Sequence, residues 1–203
     1  MSKADREKWD QRYLSGSYAQ RVHPTALLAE WEARLPPGRA LDLACGAGRN
    51  SLFLARAGRP VDAVDVSQAG LELAQASAAA QGLDVRFVRA DLETEAERVL
   101  TGTRYALILV VRYVNRSLLP RLGAALEEGG CLLVEQHLVT DAEVAGPGNP
   151  AFRYAPNELL RAMADAGEPV LRVLFYRESL VEDPDGRRAA LAQLVACRGR
   201  PEF

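Results

Sequence analysis

The residues best able to do chemistry are gathered between positions 42 and 65. In Asp42-Leu43-Ala44-Cys45-Gly46-Ala47-Gly48-Arg49-Asn50-Ser51 an acid precedes two glycines, and a polar run follows them. Gly46 and Gly48 lack Cβ atoms, so the backbone can turn through positive φ and a ligand can lie directly on the peptide groups. A helix beginning near Arg49 or Asn50 aims unpaired N–H groups, and its positive dipole end, at that ligand. A second acid, Asp65, closes the apolar run Val61-Asp62-Ala63-Val64. In a doubly wound sheet such a carboxylate lies beside the glycine loop and can accept hydrogen bonds from two ribose hydroxyls. The chemistry implied is the holding of a nucleotide-like ligand, and Asp42 suits an ammonium group on it.

Further along, His137 ends an apolar strand near the same mouth and is the candidate general base; a histidine satisfied by neighbouring backbone is the plainer reading of the same residue. Glu135, two residues before it, sits within the strand, where burial calls for an arginine partner. Cys45, Cys131 and Cys197 show no paired metal-ligand spacing and lie in or at the end of apolar strands, so buried reduced thiols and no metal site are expected.

The elements that must position these residues follow from periodicity. The chain has 203 residues, 48% of them hydrophobic, enough for one core and too few for two ordinary domains, so a single domain over 1–203 is expected. Residues 3–14 read as a helix on which Trp9, Arg12 and Tyr13 share a face, and Leu27, Leu28, Trp31 and Leu35 mark a second helix over 25–35. Pro36-Pro37-Gly38 stops it and launches the first strand. Helices over 52–57 and 67–81, strands over 85–90 and 105–111, a helix over 116–127 and a strand over 131–138 follow. The run 105–111 is apolar throughout, as a central strand covered on both faces must be. Residues 139–156 exceed an ordinary connection of ~2–6 residues and, with Phe152 and Tyr154, read as a lid. A helix over 156–166 and strands over 170–180 and 189–197 around Glu182-Asp183-Pro184-Asp185-Gly186 complete the chain as a terminal hairpin. Alternating strands and helices of this order specify an α/β fold with a doubly wound, mainly parallel sheet.

The glycine-loop stretch, together with Asp65, resembles motif I and the acidic loop of class I S-adenosylmethionine-dependent methyltransferases, with Ala44 in place of the first glycine of the commonest form. The resemblance implies a Rossmann-like sheet of seven strands, the last antiparallel, and S-adenosylmethionine as cofactor. It assigns cofactor contacts to Asp42, Ala44, Gly46, Gly48, Asp65, Val66, Leu92 and Val111, and gives Asp91, after the third strand, the adenine amino group. Trp9-Asp10-Gln11-Arg12-Tyr13 is similar to the N-terminal signature of small-molecule branches such as the tellurite-resistance and thiopurine methyltransferases. There the N-terminal helices, here within 1–36, close over the cofactor, and by resemblance Arg12 pairs with its carboxylate.

The acceptor site then falls above the fourth strand. Arg112, Tyr113 and Asn115 form its floor, and Arg153 and Tyr154 arrive with the lid; a solvated loop charge is the plainer reading of Arg153. Val-Arg-Tyr-Val-Asn-Arg over 111–116 lacks the Asp/Asn-Pro-Pro-Tyr/Phe turn of enzymes that methylate base amino groups, and no Pro-Cys nucleophile of the cytosine-C5 kind is present. A net charge of −2 gives no general field for nucleic acid, no run reaches the ~18 apolar residues of a membrane span, and the charged first 20 residues carry no signal-peptide core. The expectation is a cytoplasmic methyltransferase for a small, thiol-, chalcogen- or anion-bearing acceptor, with no nucleic-acid or membrane partner. The alternatives are a nucleic-acid or protein methyltransferase; a nicotinamide-dependent oxidoreductase, against which stands Ser51 at the third glycine position; and a cofactor-binding protein without catalysis.

Overall fold

The computed structural model describes residues 3–199. Its elements are α1 (Lys3–Leu14), α2 (Ala26–Trp31), β1 (Ala40–Leu43), α3 (Arg49–Arg56), β2 (Val61–Asp65), α4 (Gln68–Ala80), β3 (Val85–Arg89), α5 (Ala96–Leu100), β4 (Tyr105–Val111), α6 (Leu119–Leu122), β5 (Leu126–His137), α7 (Glu158–Ala164), β6 (Leu171–Glu182) and β7 (Arg188–Arg198). One seven-stranded sheet has the order β3-β2-β1-β4-β5-β7-β6. Strands β1 to β5 pair in parallel, while β7 runs antiparallel to both β5 and β6. This is a doubly wound, Rossmann-like sheet closed by an antiparallel hairpin.

β4 is central, and its successive side chains go to opposite faces. Ile108 and Val110 join Leu41, Leu43, Leu132 and Val134 in one core. Leu107 and Leu109 join Leu133 and Val195 in the other, which α2 covers with Leu27, Leu28 and Trp31 and α3 with Leu54. Because β1 and β4 are adjacent and parallel, the glycine loop after β1 and the turn after β4 open on the same carboxyl edge. Strand order reverses direction there, the usual place for a ligand in such sheets.

Two elements differ from expectation. The helix expected over 116–127 is cut to Leu119–Leu122 and one 3-10 turn, since the chain already enters β5 at Leu126, opposite Tyr105. Gly129 and Gly130 lie inside that strand, where the β4–β5 register shifts between Tyr105 and Leu107. No helix among the described residues is long and apolar enough to cross a membrane.

Candidate functional site

The loop after β1 is built from left-handed backbone: Ala44, Gly46 and Gly48 have φ of 58°, 58° and 79°. For Gly48 that conformation is free, whereas Ala44 carries the strain of an L side chain in the same region, about 1–2 kcal/mol. The loop is tied to β2 by Asp65, whose Oδ2 accepts from the Gly46 N–H at 2.7 Å and whose Oδ1 accepts from the Ser67 N–H at 2.8 Å. Ser51 donates its hydroxyl to Asp42 at 2.6 Å. Burial raises Asp42 to about 6 and also pushes Asp65 above the ordinary carboxylate range. Neither acid forms an ion pair with a described residue. Both would be relieved by a ligand bringing a cation to Asp42 and hydroxyl donors to Asp65.

α1 lies across this loop. Asp10 accepts at a single carboxylate oxygen from the Ser67 hydroxyl at 2.6 Å and the Ala69 N–H at 3.1 Å, so the helix is pinned to the N-terminus of α4. Tyr13 fills the space left by two glycines: a Cβ built on Gly46 would lie 2.2 Å from its hydroxyl, and one on Gly70 3.0 Å from its ring. Trp9, Tyr13 and Tyr18 form an aromatic cluster, with Tyr13 and Tyr18 centroids 5.3 Å apart. Arg12 stacks its guanidinium 4.8 Å over Trp9. Arg6 approaches Asp91 at 3.8 Å, and Asp91 also accepts from the Glu93 N–H, capping the turn that follows it. Val66 is half-buried and accepts from Arg89 through its carbonyl, and Leu92 is buried in the core with its carbonyl toward Asn115.

On the acceptor side, beyond the half-buried Val111, the structure corrects two expectations. Arg112 stands at the end of β4, with φ of 56°, but its guanidinium is fully engaged. Its Nε donates to Glu135 at 3.0 Å, and both Nη atoms donate to Asp183 at 2.6 Å. Gln193 completes the group by donating to the second Glu135 oxygen. Tyr154 is fully buried, its backbone bridged to Leu138 and its ring 4.9 Å beneath the Arg116 guanidinium, so it anchors 139–156 and does not face the mouth. Tyr113 and Asn115 face each other at 3.4 Å, Asn115 also capping the turn at Leu118. Arg153 grips the carbonyls of Pro147 and Leu138, and Arg116 grips those of Ala151 and Arg153 and pairs with Glu158. Residues 139–156 are therefore a bound strap.

His137 is buried, and its Nδ1 has no hydrogen-bond partner. Burial first, then Arg112, Arg153 and Arg21, lower it to about 3. The imidazole is neutral, and a conjugate acid that strong makes a poor general base. Cys45 is buried beside Asp65 and Asp42, with its thiol pushed well up, which disfavours a thiolate nucleophile. Arg49, Arg21 and Asp183 are the residues that sequence reasoning passed over. Arg49 was visible beside the glycines; the other two reach the mouth only through the hairpin and the segment before α2.

Residues 40–130 match the family model described as a methyltransferase domain. The probable S-adenosyl-L-methionine-dependent methyltransferase TehB of Haemophilus influenzae is 27% identical over 163 residues, covering 76% of this chain and 54% of TehB. The chain thus spans about half the length of that relative. The crystal structure of TehB from Haemophilus influenzae superposes with a TM-score of 0.67 at 24% identity, over 85% of this chain and 61% of that one. Magnesium protoporphyrin IX methyltransferase from Synechocystis, crystallised with bound S-adenosylmethionine, gives a TM-score of 0.59 at 19% identity, over 94% and 82%. These structural likenesses establish the fold.

Proposed function

We propose that this protein, whose residues 40–130 match a methyltransferase-domain model, is a class I S-adenosylmethionine-dependent methyltransferase that transfers the methyl group to a small-molecule acceptor. The observation that carries the reading is the pair of buried acids, Asp42 and Asp65, set beside a left-handed glycine loop and without an ion-pair partner among the described residues. In this reading Asp65 holds the ribose hydroxyls and Asp42 the ammonium group. Gly46 and Gly48 give close approach, Asp91 meets the adenine amino group, and Val66, Leu92 and Val111 line its path. Arg12, swinging from Trp9, is the partner of the carboxylate.

The cofactor supplies a methyl group on a sulfonium, already activated for in-line displacement. The protein's part is to orient the acceptor and exclude water. A thiolate or other anion needs no proton removed, which agrees with a neutral, weakly basic His137. The small acceptor is supported by enclosure, because α1 pinned at Asp10 covers one side of the mouth and the strap 139–156 the other. TehB, a probable S-adenosyl-L-methionine-dependent methyltransferase, supports the same cofactor.

Calorimetry with S-adenosylhomocysteine and a methylation panel test the reading. The expected outcome is binding of the product and turnover of a small thiol, chalcogen or anionic acceptor. Efficient methylation of folded RNA or intact protein, with small acceptors inert, would overturn it.

A further inference from the structure

At the carboxyl edge, between the segment before α2, the start of α3 and the β6–β7 turn, lies a narrow cleft, too tight as it stands to admit a water-sized molecule, lined by Gln20, Arg21, His23, Arg49, Pro184 and Asp185. Its charges are poorly matched. Arg49 makes no hydrogen bond or ion pair with any described residue; burial first, then Arg112, disfavour its charge, against a partial offset from Glu135 and Asp183. The Arg21 side chain is mostly buried, and its Nε has no hydrogen-bond partner; Asp185 Oδ2, 3.9 Å away, is itself buried and accepts no hydrogen bond. Asp185 is also shared with Arg187 at 3.6 Å. Arg112, by contrast, is saturated by Glu135 and Asp183.

A buried guanidinium nitrogen left without an acceptor is costly, and an oxyanion is the group that matches the planar donors of arginine. We infer that Arg21 and Arg49 form a subsite for a carboxylate or similarly small oxyanion at the acceptor side of the mouth, and that Asp185 is a loosely held internal carboxylate which that anion displaces. The hairpin makes the exchange feasible, since Asp185 sits on the tip turn whose other acid, Asp183, stays fixed on Arg112. The inference rests on the methyltransferase reading only for what the anion belongs to. An acceptor's own charge and the amino-acid carboxylate of the cofactor share this chemistry.

Sulfate and acetate, titrated at constant ionic strength into the full chain with and without S-adenosylhomocysteine, test it directly. The readouts are the thermal midpoint and the arginine Nε–Hε resonances. We expect saturable binding, weakened about tenfold or more in Arg49→Met and in Arg21→Met by loss of a charge-assisted contact. Arg104→Met, at the opposite edge of the sheet, should bind as wild type. Asp185→Asn should bind more tightly, an outcome that a merely structural ion pair would not produce and that does not depend on the arginine variants folding. Anion binding on top of S-adenosylhomocysteine, with cofactor affinity spared in Arg49→Met, assigns the subsite to the acceptor. Competition between the two, with Arg49→Met weakening S-adenosylhomocysteine but not methylthioadenosine, assigns it to the cofactor carboxylate. Shifts that track ionic strength alone, or that persist unchanged in Arg49→Met, overturn the subsite. A protein that binds sulfate in this way but no S-adenosylhomocysteine would leave the subsite standing and remove the methyltransferase reading instead.

Discussion

The two halves of the mouth are built by different means. On the cofactor side, Asp42, Gly46, Gly48, Ser51 and Asp65 come from one strand–loop–helix unit and the strand after it, joined by hydrogen bonds across 9 and 19 residues. On the acceptor side the ties are distant: Arg112 to Asp183 across 71 residues, Gln193 to Glu135 across 58, Arg116 to Glu158 across 42. The first half keeps its acids unpaired and raised. The second neutralises its acids with arginine and holds Asp183 below the ordinary range. The first half thus holds buried acids without counter-charges, whereas the group around Arg112 is matched and unmet charge returns beyond it at Arg21 and Asp185.

The largest test of that contrast is Arg112→Ala. Removing the arginine strands Glu135 and Asp183 as buried carboxylates, and we expect a loss of about 3–5 kcal/mol in denaturant unfolding. A loss below about 1 kcal/mol would show that the acceptor half does not depend on this group.

Asp65→Ala should act on binding as well, costing about 1–3 kcal/mol of stability by stranding the Gly46 and Ser67 N–H groups and weakening S-adenosylhomocysteine by about 10- to 150-fold, or ~1.5–3 kcal/mol, in calorimetry. Unchanged affinity in a folded variant removes Asp65 from the site.

The pH dependence separates the halves again. Asp42 titrates at about 6 in the fold against 3.8 ordinarily, so its contribution to stability is complete below the lower value and is lost as pH rises through the higher one. A ligand cation favours the carboxylate, so cofactor affinity should climb about tenfold between roughly pH 5 and 7 and level above. Flat affinity over that window would detach Asp42 from the ammonium group.

Asp10→Ala removes a second cap from α4 and the pin of α1. The expected loss is about 0.5–2 kcal/mol, with faster amide exchange confined to α1 and the start of α4. Faster exchange through 139–156 as well would mean that the two covers move together. The smallest effect is a gain: Ala44→Gly should stabilise the fold by about 1 kcal/mol by relieving positive φ. A loss on that substitution would show the alanine methyl to be a packing contact.

What could be read from the sequence follows the same division. Strand β4 announced itself by seven consecutive apolar residues, Tyr105 to Val111, and α1 appeared with both its bounds because charge and aromatic spacing are local. Ser51 read as a departure from a glycine fingerprint, and only the fold shows its hydroxyl holding Asp42. Tyr154 looked like a lid aromatic, since nothing in its neighbours tells that its backbone bridges Leu138. Arg112 stands at the end of β4, where its position in the sequence put it, but its occupation was missed, because Asp183 belongs to a turn that reads, alone, as an ordinary hairpin tip.

Tyr13 occupies the hollow that Gly46 and Gly70 leave open, and this has a kinetic meaning. Under the proposed function, substrate and product forms of the cofactor must both win that hollow from a side chain tethered a few residues away, at an effective concentration far above that of any free ligand. Both forms therefore bind more weakly by the same factor, and their ratio is untouched. What changes is the departure step: with Tyr13 ready to refill the hollow, the spent nucleoside leaves more readily, while the competition between substrate and product forms stays as it was.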